Sequence, residues 1–328
     1  MKKNLKDEIY QELKSLKTKS GYTLDMAINS GVKNPDSSIG IYAGDEESYE
    51  LFAKVFSPII KEYHGFDKED KHRTFLHVKG LKDAVIDEDK IISTRIRVGR
   101  NLRDFPLGTN ISKKQRSEVE RRVISAIKSL TCKGKYYSLE SLSKEEKNSL
   151  IKEHFLFKEG DRFLEAAGLN RDWPSGRGIY HNEEKTFLVW VNEEDQLRII
   201  SMQKGGDIKE VFSRLVKFLI ELEKSLDFLY NDNLGYITSC PTNLGTAMRA
   251  SVHLKLPNLS KNMFKLEEIC KEYHLQIRGI HGEHSKSEEN IFDISNKRRL
   301  GVSEVECIQD VIDGVKVLLK EDKNLYRQ

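Results

Sequence analysis

Four separated stretches of this sequence carry residues whose types and spacing suit chemistry on a charged substrate. The first is Asn192-Glu193-Glu194-Asp195-Gln196, three adjacent acids between apolar runs at 187–191 and 197–202. Runs rich in β-branched and aromatic residues around a short polar knot imply a hairpin. Like charges this close repel, so a cation is expected opposite them, and Arg198 stands just beyond. An acidic turn alone is more often a solvated loop. The other stretches change that balance.

In the second stretch, Ser93-Thr94-Arg95-Ile96-Arg97-Val98-Gly99-Arg100, a period of two puts Arg95 and Arg97 on one strand face and Ile96 and Val98 on the other. Two guanidinium forks about 7 Å apart suit a polyphosphate, and equally a solvated sheet surface. Arg249-Ala250-Ser251-Val252-His253 alternates in the same way. In Arg278-Gly279-Ile280-His281-Gly282-Glu283-His284, glycines flank charge as in a loop that closes over a ligand. No GxxxxGK[ST], HRD or DFG occurs, so any phosphate is held by arginines rather than a P-loop or a protein-kinase cleft.

Two further segments carry weaker signals. In 235–246 a strand ends at Cys240, followed by proline and hydroxyl residues. Donors and arginines near the sulfur would lower its pKa, while a lone cysteine after an apolar strand is more often a small buried hydrophobe. Segment 34–45 is a loop whose free amides and Tyr42 hydroxyl suit a carboxylate, or an ordinary surface loop.

The elements that must position these groups follow from periodicity. Helical spacing marks 5–16 and 46–63, 112–130, 144–154, 207–230, 260–274 and 303–320. Strand patterns mark 91–97, 178–181, 186–191, 197–203, 235–240, 249–256 and 290–295. Consecutive strands without an intervening helix favour an antiparallel sheet with helices over one side, an α+β fold. The organisation expected is a helical domain at 1–70, a charged linker at 71–89 and a catalytic domain at 90–328. The 328 residues carry 55 Lys+Arg against 52 Asp+Glu, a net charge of +3. That balance, with no aromatic near Arg95 or Arg97 in sequence, argues against nucleic acid as a partner. No run approaches the length of a membrane span, and the start lacks a signal-peptide core. Cys132, Cys240, Cys270 and Cys307 form no CxxC, so a reducing cytoplasm is expected.

Together these segments resemble the phosphagen (ATP:guanido) phosphotransferases, and within them the arginine kinases. The likeness rests on STRIRVGRN at 93–101, HFLFKEGDRFL at 154–164 and WPSGRGIYHNEEKTFLVWVNEEDQLRIISMQKGG at 173–206. It continues in CPTNLGT at 240–246, RASVHLK at 249–255, RGIHGEH at 278–284 and DISNKRRLG at 293–301. It implies a small helical domain followed by an antiparallel sheet flanked by helices. The expected reaction is reversible transfer of the ATP γ-phosphoryl group to L-arginine, with Mg²⁺ held through phosphates and water rather than by protein ligands.

Position by position, the resemblance implies that Arg95, Arg97, Arg198, Arg249 and Arg278 hold the nucleotide phosphates. Ser93, Thr94, Ile96, Ala250, Ser251, Val252 and His253 would line the same pocket with Gly279, Ile280, His281 and Gly282, and His154 would lie nearer the adenosine. Glu194 and Glu283 would clamp the guanidinium beside Cys240, and Ser38, Ile39, Gly40, Ile41 and Tyr42 would recognise the amino-acid end. Asp36 and Arg162 match a family ion pair between the domains. The short loop and Glu283 favour arginine, while Gln196, Ile280, His281, Ser38 and Glu289-Asn290 depart from the family pattern. The alternatives are a kinase for another guanidino compound such as taurocyamine, and a catalytically silent nucleotide-binding relative. A monomer and a homodimer are both compatible.

Overall fold

In the computed structural model the described residues are 3–82, 86, 89–153, 155–278 and 290–326. Four helices open the chain: α1 (Asp7–Leu13), α2 (Leu24–Lys33), α3 (Glu47–Leu51) and α4 (Ala53–His64). Helical spacing alone does not mark α2, because Asn29, Ser30 and Gly31 are poor helix formers. The Thr23 side chain secures its start by accepting from the Met26 N–H, and Leu24, Ala27 and Ile28 are buried.

The larger part begins with β1 (Ile91–Arg100), α5 (Lys113–Ile127), β2 (Gly134–Ser138), α6 (Lys144–Lys152) and α7 (Arg162–Ala166). Then come β3 (Gly178–Asn182), β4 (Phe187–Val191), β5 (Leu197–Lys204), α8 (Ile208–Glu223) and the small ribbon β6 (Tyr230–Asn231) and β7 (Gly235–Tyr236). The chain ends with β8 (Met248–Lys255), α9 (Met263–Glu272), β9 (Leu275–Arg278), β10 (Ile291–Asn296) and α10 (Glu304–Tyr326). Eight strands form one sheet in the order β2-β3-β4-β5-β1-β8-β10-β9, antiparallel at each pairing.

Alternation decides which face each side chain takes. Ile96 and Val98 of β1, Met248, Ala250, Val252 and Leu254 of β8, and Phe292 and Ile294 of β10 bury against helices α5, α8, α9 and α10. Burying one such side chain stabilises by about 1.5–3 kcal/mol. The opposite face is covered at the β3–β5 end by a second apolar cluster that includes Leu142, Phe157, Leu188 and Trp190. Strands β4 and β5 are therefore apolar on both faces, which explains their nearly unbroken hydrophobic runs.

Several expectations need correction. The helix expected over 207–230 stops at Glu223, where the Lys224 and Ser225 N–H groups turn back to the Leu222 carbonyl; further on, the Leu229 N–H donates to the Asn101 carbonyl at 2.7 Å. The strand expected over 235–240 shrinks to two residues. Past it the chain is held by single bonds, the Ala43 N–H to the Ser239 carbonyl and the Ser239 N–H to Asp195. Strands β2 and β9, both at sheet edges, lie where no strand pattern shows.

The helical domain and the sheet domain share an apolar seam: Leu107, Leu229, Ile237, Leu244 and Leu300 complete the core formed by Phe52, Val55 and Phe56. At Gly245 the backbone has φ +89°, and a Cβ would lie 2.2 Å from the Arg299 carbonyl oxygen. Only glycine lets residues 299–300 close on this turn.

Candidate active site

On the sheet face left open between these covers, the register gathers the arginines of distant segments. Arg97 of β1 pairs with Arg249 of β8, Gly99 with Arg198 of β5, and Arg95 with Ser251. His253 stands beside Ser93 and Asp293, and Asp293 beside Arg278. The Trp190 ring centroid lies 5.6 Å from the Arg95 guanidinium and 5.5 Å from that of Arg198. This aromatic neighbour is remote in sequence and was not expected; at 7 % exposure it is a wall, not a stacking platform for bases.

The arginines repel one another. Burial first, then Arg198 and Arg249, bring Arg95 down to about 10. Burial, Arg198 and Arg95 hold Arg97 well below its ordinary value. Both stay charged at any working pH, so the cost is relieved only by an anion. Arg249 has one already: its Nη2 donates to Asp293 Oδ2 at 2.7 Å. Burial works to raise Asp293, but His253 and Arg249 outweigh it and hold the carboxyl at about 2. Asp293 is a site residue that motif reading passed over, although an acid between Phe292 and Ile294 already pointed to the arginine face.

The three acids of the hairpin separate. Asn192 takes a left-handed conformation, φ +57°, and donates from its side chain to the Gly176 and Arg116 carbonyls at 2.7 and 3.1 Å. Arg198 then meets Glu193 at 2.9 Å and Glu194 at 3.3 Å, the cation expected opposite the turn. Asp195 points the other way and accepts from Asn101 Nδ2 at 2.8 Å and from the Ser239 N–H at 3.0 Å. The Gln196 amide accepts from the Leu102 N–H and donates to the Pro106 carbonyl, both at 2.9 Å. Burial, with Asp195 adding to it, pushes Glu194 up to about 7 despite Arg198. A buried carboxyl balanced near neutrality suits proton transfer.

Cys240 lies in one cluster with Tyr42, Ala167 and Leu169, which brings the loop of the helical domain against the loop after β7. The expected lowering of the thiol does not hold in this site. Burial and the Glu194 carboxylate push Cys240 up to about 12, outweighing the Thr242 hydroxyl, 3.1 Å from the sulfur, and the Thr242 backbone N–H.

The other expected site residues divide by face. Ser93, Ser251 and His253 lie on the arginine face. The side chains of Thr94, Ile96, Ala250 and Val252 are buried on the helix-covered face, where the Thr94 hydroxyl donates to the Gly205 carbonyl at 2.8 Å. Ile41 is buried in the core of the helical domain. The Tyr42 N–H is taken by the Ala27 carbonyl at 3.0 Å, so it is not the free amide expected of the loop. Ser38 is exposed, Ile39 is half-buried against that core, and Gly40 is buried, its carbonyl accepting from the Gly31 N–H at 3.1 Å. Arg162 donates to Asp36 Oδ1 at 3.0 Å and also contacts Oδ2. His154, Gly279, Ile280, His281, Gly282 and Glu283 lie outside the described residues.

Known proteins resemble this chain in sequence and fold. Residues 1–61 match the ATP:guanido phosphotransferase N-terminal domain, and residues 118–325 match its C-terminal catalytic domain. The chain belongs to the ATP:guanido phosphotransferase family. Its relatives include an arginine kinase of Artemia franciscana, 51% identical over 99% of this chain and 92% of that protein. Arginine kinase Lit v 2 of Penaeus vannamei is also 51% identical, over 99% of this chain and 93% of the relative. Among solved structures, a lombricine kinase superposes with a TM-score of 0.93 at 41% identity, covering 99% of this chain and 92% of its own. The duplicated taurocyamine kinase of Schistosoma mansoni, with bound transition state analog components, reaches 0.91 at 40%, covering 98% of this chain and 46% of its own. Among the described residues of this phosphotransferase, no helix is long and apolar enough to cross a membrane.

Proposed function

We propose that this phosphotransferase is an arginine kinase, which moves the ATP γ-phosphoryl group reversibly to the guanidino group of L-arginine. The observation that carries the reading is Glu194, which meets Arg198 at 3.3 Å at the end of the arginine strip and bears electrostatically on both Cys240 and Tyr42. A guanidinium is protonated at any working pH and is a poor nucleophile. Glu194 orients it and accepts the proton that leaves as the nitrogen attacks phosphorus. The P–N bond forms, the bond from phosphorus to the ADP oxygen breaks, and no phospho-enzyme arises. Arg95, Arg97, Arg198 and Arg249 align the phosphates and spread the charge that develops on them. From the family resemblance, Glu283 supplies a second carboxylate, and Arg278, His154 and Gly279–Gly282 complete the nucleotide pocket.

The donor set fits an ion that arrives on the nucleotide. Guanidinium forks suit phosphate oxygens. Mg²⁺ bound through phosphates supplies further charge neutralisation. Burial first, and Glu194 after it, hold Cys240 as a neutral thiol; a guanidinium beside Glu194 would offset the second of these causes and leave the first.

The 51% identity to proteins named arginine kinases supports arginine as substrate. The fit to the lombricine and taurocyamine kinase structures favours a second reading, a kinase for another guanidino acid. ADP release with Mg-ATP and a panel of L-arginine, lombricine, taurocyamine and creatine separates the two. Turnover of arginine above the rest is expected; turnover of another compound with arginine inert overturns the assignment.

A further inference from the structure

The Glu194 carboxylate is gripped at both oxygens. Arg198 Nη2 donates to Oε2 at 3.3 Å, and Asn243 Nδ2 faces Oε1 at 3.4 Å. An asparagine amide has two ends of nearly equal shape, and only one of them donates. What fixes its orientation lies behind it. Arg299, 5 % exposed, donates from Nη1 to Asn243 Oδ1 and, at 3.0 Å, to the Thr242 carbonyl.

A guanidinium has no acceptor, so Asn243 must turn its oxygen to Arg299 and its NH₂ to Glu194. The reverse orientation would set donor against donor on one side and acceptor against acceptor on the other. Among the described residues no carboxylate pairs with Arg299, so its charge polarises the Asn243 amide toward Glu194. The chain that brings Arg299 is itself tied to this loop: the Thr246 N–H donates to the Arg299 carbonyl at 2.9 Å, and Gly245 makes room for that contact.

We propose that Asn243 is a positioning residue that sets the plane of the Glu194 carboxylate, and that Arg299 sets the direction of the Asn243 amide. With one donor on each oxygen, the outward lone pairs of Glu194 are presented together to a planar cation. The loop that carries Cys240 thus also aims the acid. This inference rests on the reading of Glu194 as proton acceptor. The groups that face Glu194 are Glu193, Asp195 and Arg198 of its own hairpin, Arg97 of β1, Cys240 of the same loop as Asn243, and Tyr42 of the helical domain. None of them changes in the variants below.

The test is steady-state kinetics of the full chain across pH, using Mg-ATP and the best guanidino substrate of the panel. Asn243→Ala removes a donor that favours the ionised acid, so the acid limb of kcat/KM moves to higher pH and kcat falls by about 10- to 100-fold. KM for ATP changes by less than about twofold, because the strip is untouched. Arg299→Ala shifts the limb in the same direction, Arg299→Lys recovers most of the loss, and Arg299→Ala with Asn243→Ala is no worse than Asn243→Ala alone. If Asn243→Ala does not fold, the Arg299 pair carries the test. A folded Asn243→Ala with the wild-type limb and kcat, or multiplying losses in the double variant, overturns the proposal. Should the wild type turn over no guanidino compound, the functional reading fails. Carboxyl titration by NMR with labelled glutamate then decides the contact itself: the Glu194 resonance titrates higher in Asn243→Ala, or it does not move.

Discussion

Glu194, Asp195 and Cys240 sit within a few residues of one another in space, yet each has its own electrostatic setting. Glu194 is buried beside two other acids and is pushed up to about 7. A base must be ionised to accept a proton, so kcat/KM for the guanidino substrate should fall as pH drops through that value. Glu194→Gln should lower kcat by about 10²- to 10⁴-fold while KM for ATP stays near wild type. A kcat within tenfold of wild type would remove Glu194 from proton transfer. Alternation alone placed Arg95 and Arg97 on one face, so that much was legible from residue order; bringing Arg249 beside them takes the pairing of β1 with β8. The division of labour between Glu194 and Asp195 was not legible. It depends on partners distant in sequence: Asn101 and the Ser239 N–H hold Asp195, while Asn243, with Arg198, meets Glu194. The state of Cys240 was equally hidden, because burial set by distant residues outweighs the local hydroxyl.

At the scale of elements, β1, β8 and β10 announce themselves by an apolar face, and β4 and β5 by nearly unbroken apolar runs. Short edge strands such as β2 and β9 bury little and pair on one side, so their sequences carry little pattern. Helix α2 depends on a cap and on packing rather than on propensity, which is why its Asn-Ser-Gly segment misleads. Across β8 and β10, the buried Arg249–Asp293 pair couples the arginine face to stability. Asp293 stays ionised in the folded chain down to about 2, below its ordinary 3.8. Its contribution is therefore present above about 4 and is lost as pH falls through 2. Asp293→Asn should flatten acid unfolding in that window, as followed by circular dichroism, and raise KM for ATP by leaving Arg249 without its partner. An unchanged acid transition would show that the pair carries no linkage.

Across the whole molecule, α2 and α7 join the two domains. Asn29 and Ser30 donate to the Ala166 and Phe163 carbonyls at 2.6 and 2.9 Å, with the exposed Arg162–Asp36 pair outside them. An exposed ion pair adds little to stability. Arg162→Ala should therefore leave the melting temperature within error but raise KM for the guanidino substrate, since it loosens the loop that carries Tyr42. A fall in melting temperature with KM unchanged would make the pair merely structural. The two-domain plan could be read from the chain in outline; the apolar seam through Leu107, Leu244 and Leu300 could not, because those residues sit in connections without periodic pattern.

The strip of like charges on the sheet has a practical corollary. Guanidinium groups held side by side, as Arg95 and Arg97 are, repel one another, and any oxyanion that enters between them eases that repulsion. Sulfate or inorganic phosphate in a storage buffer would act as a placeholder, raising the melting temperature while masking part of the affinity for ADP. Binding constants for this protein will therefore depend on the salt chosen as much as on its concentration.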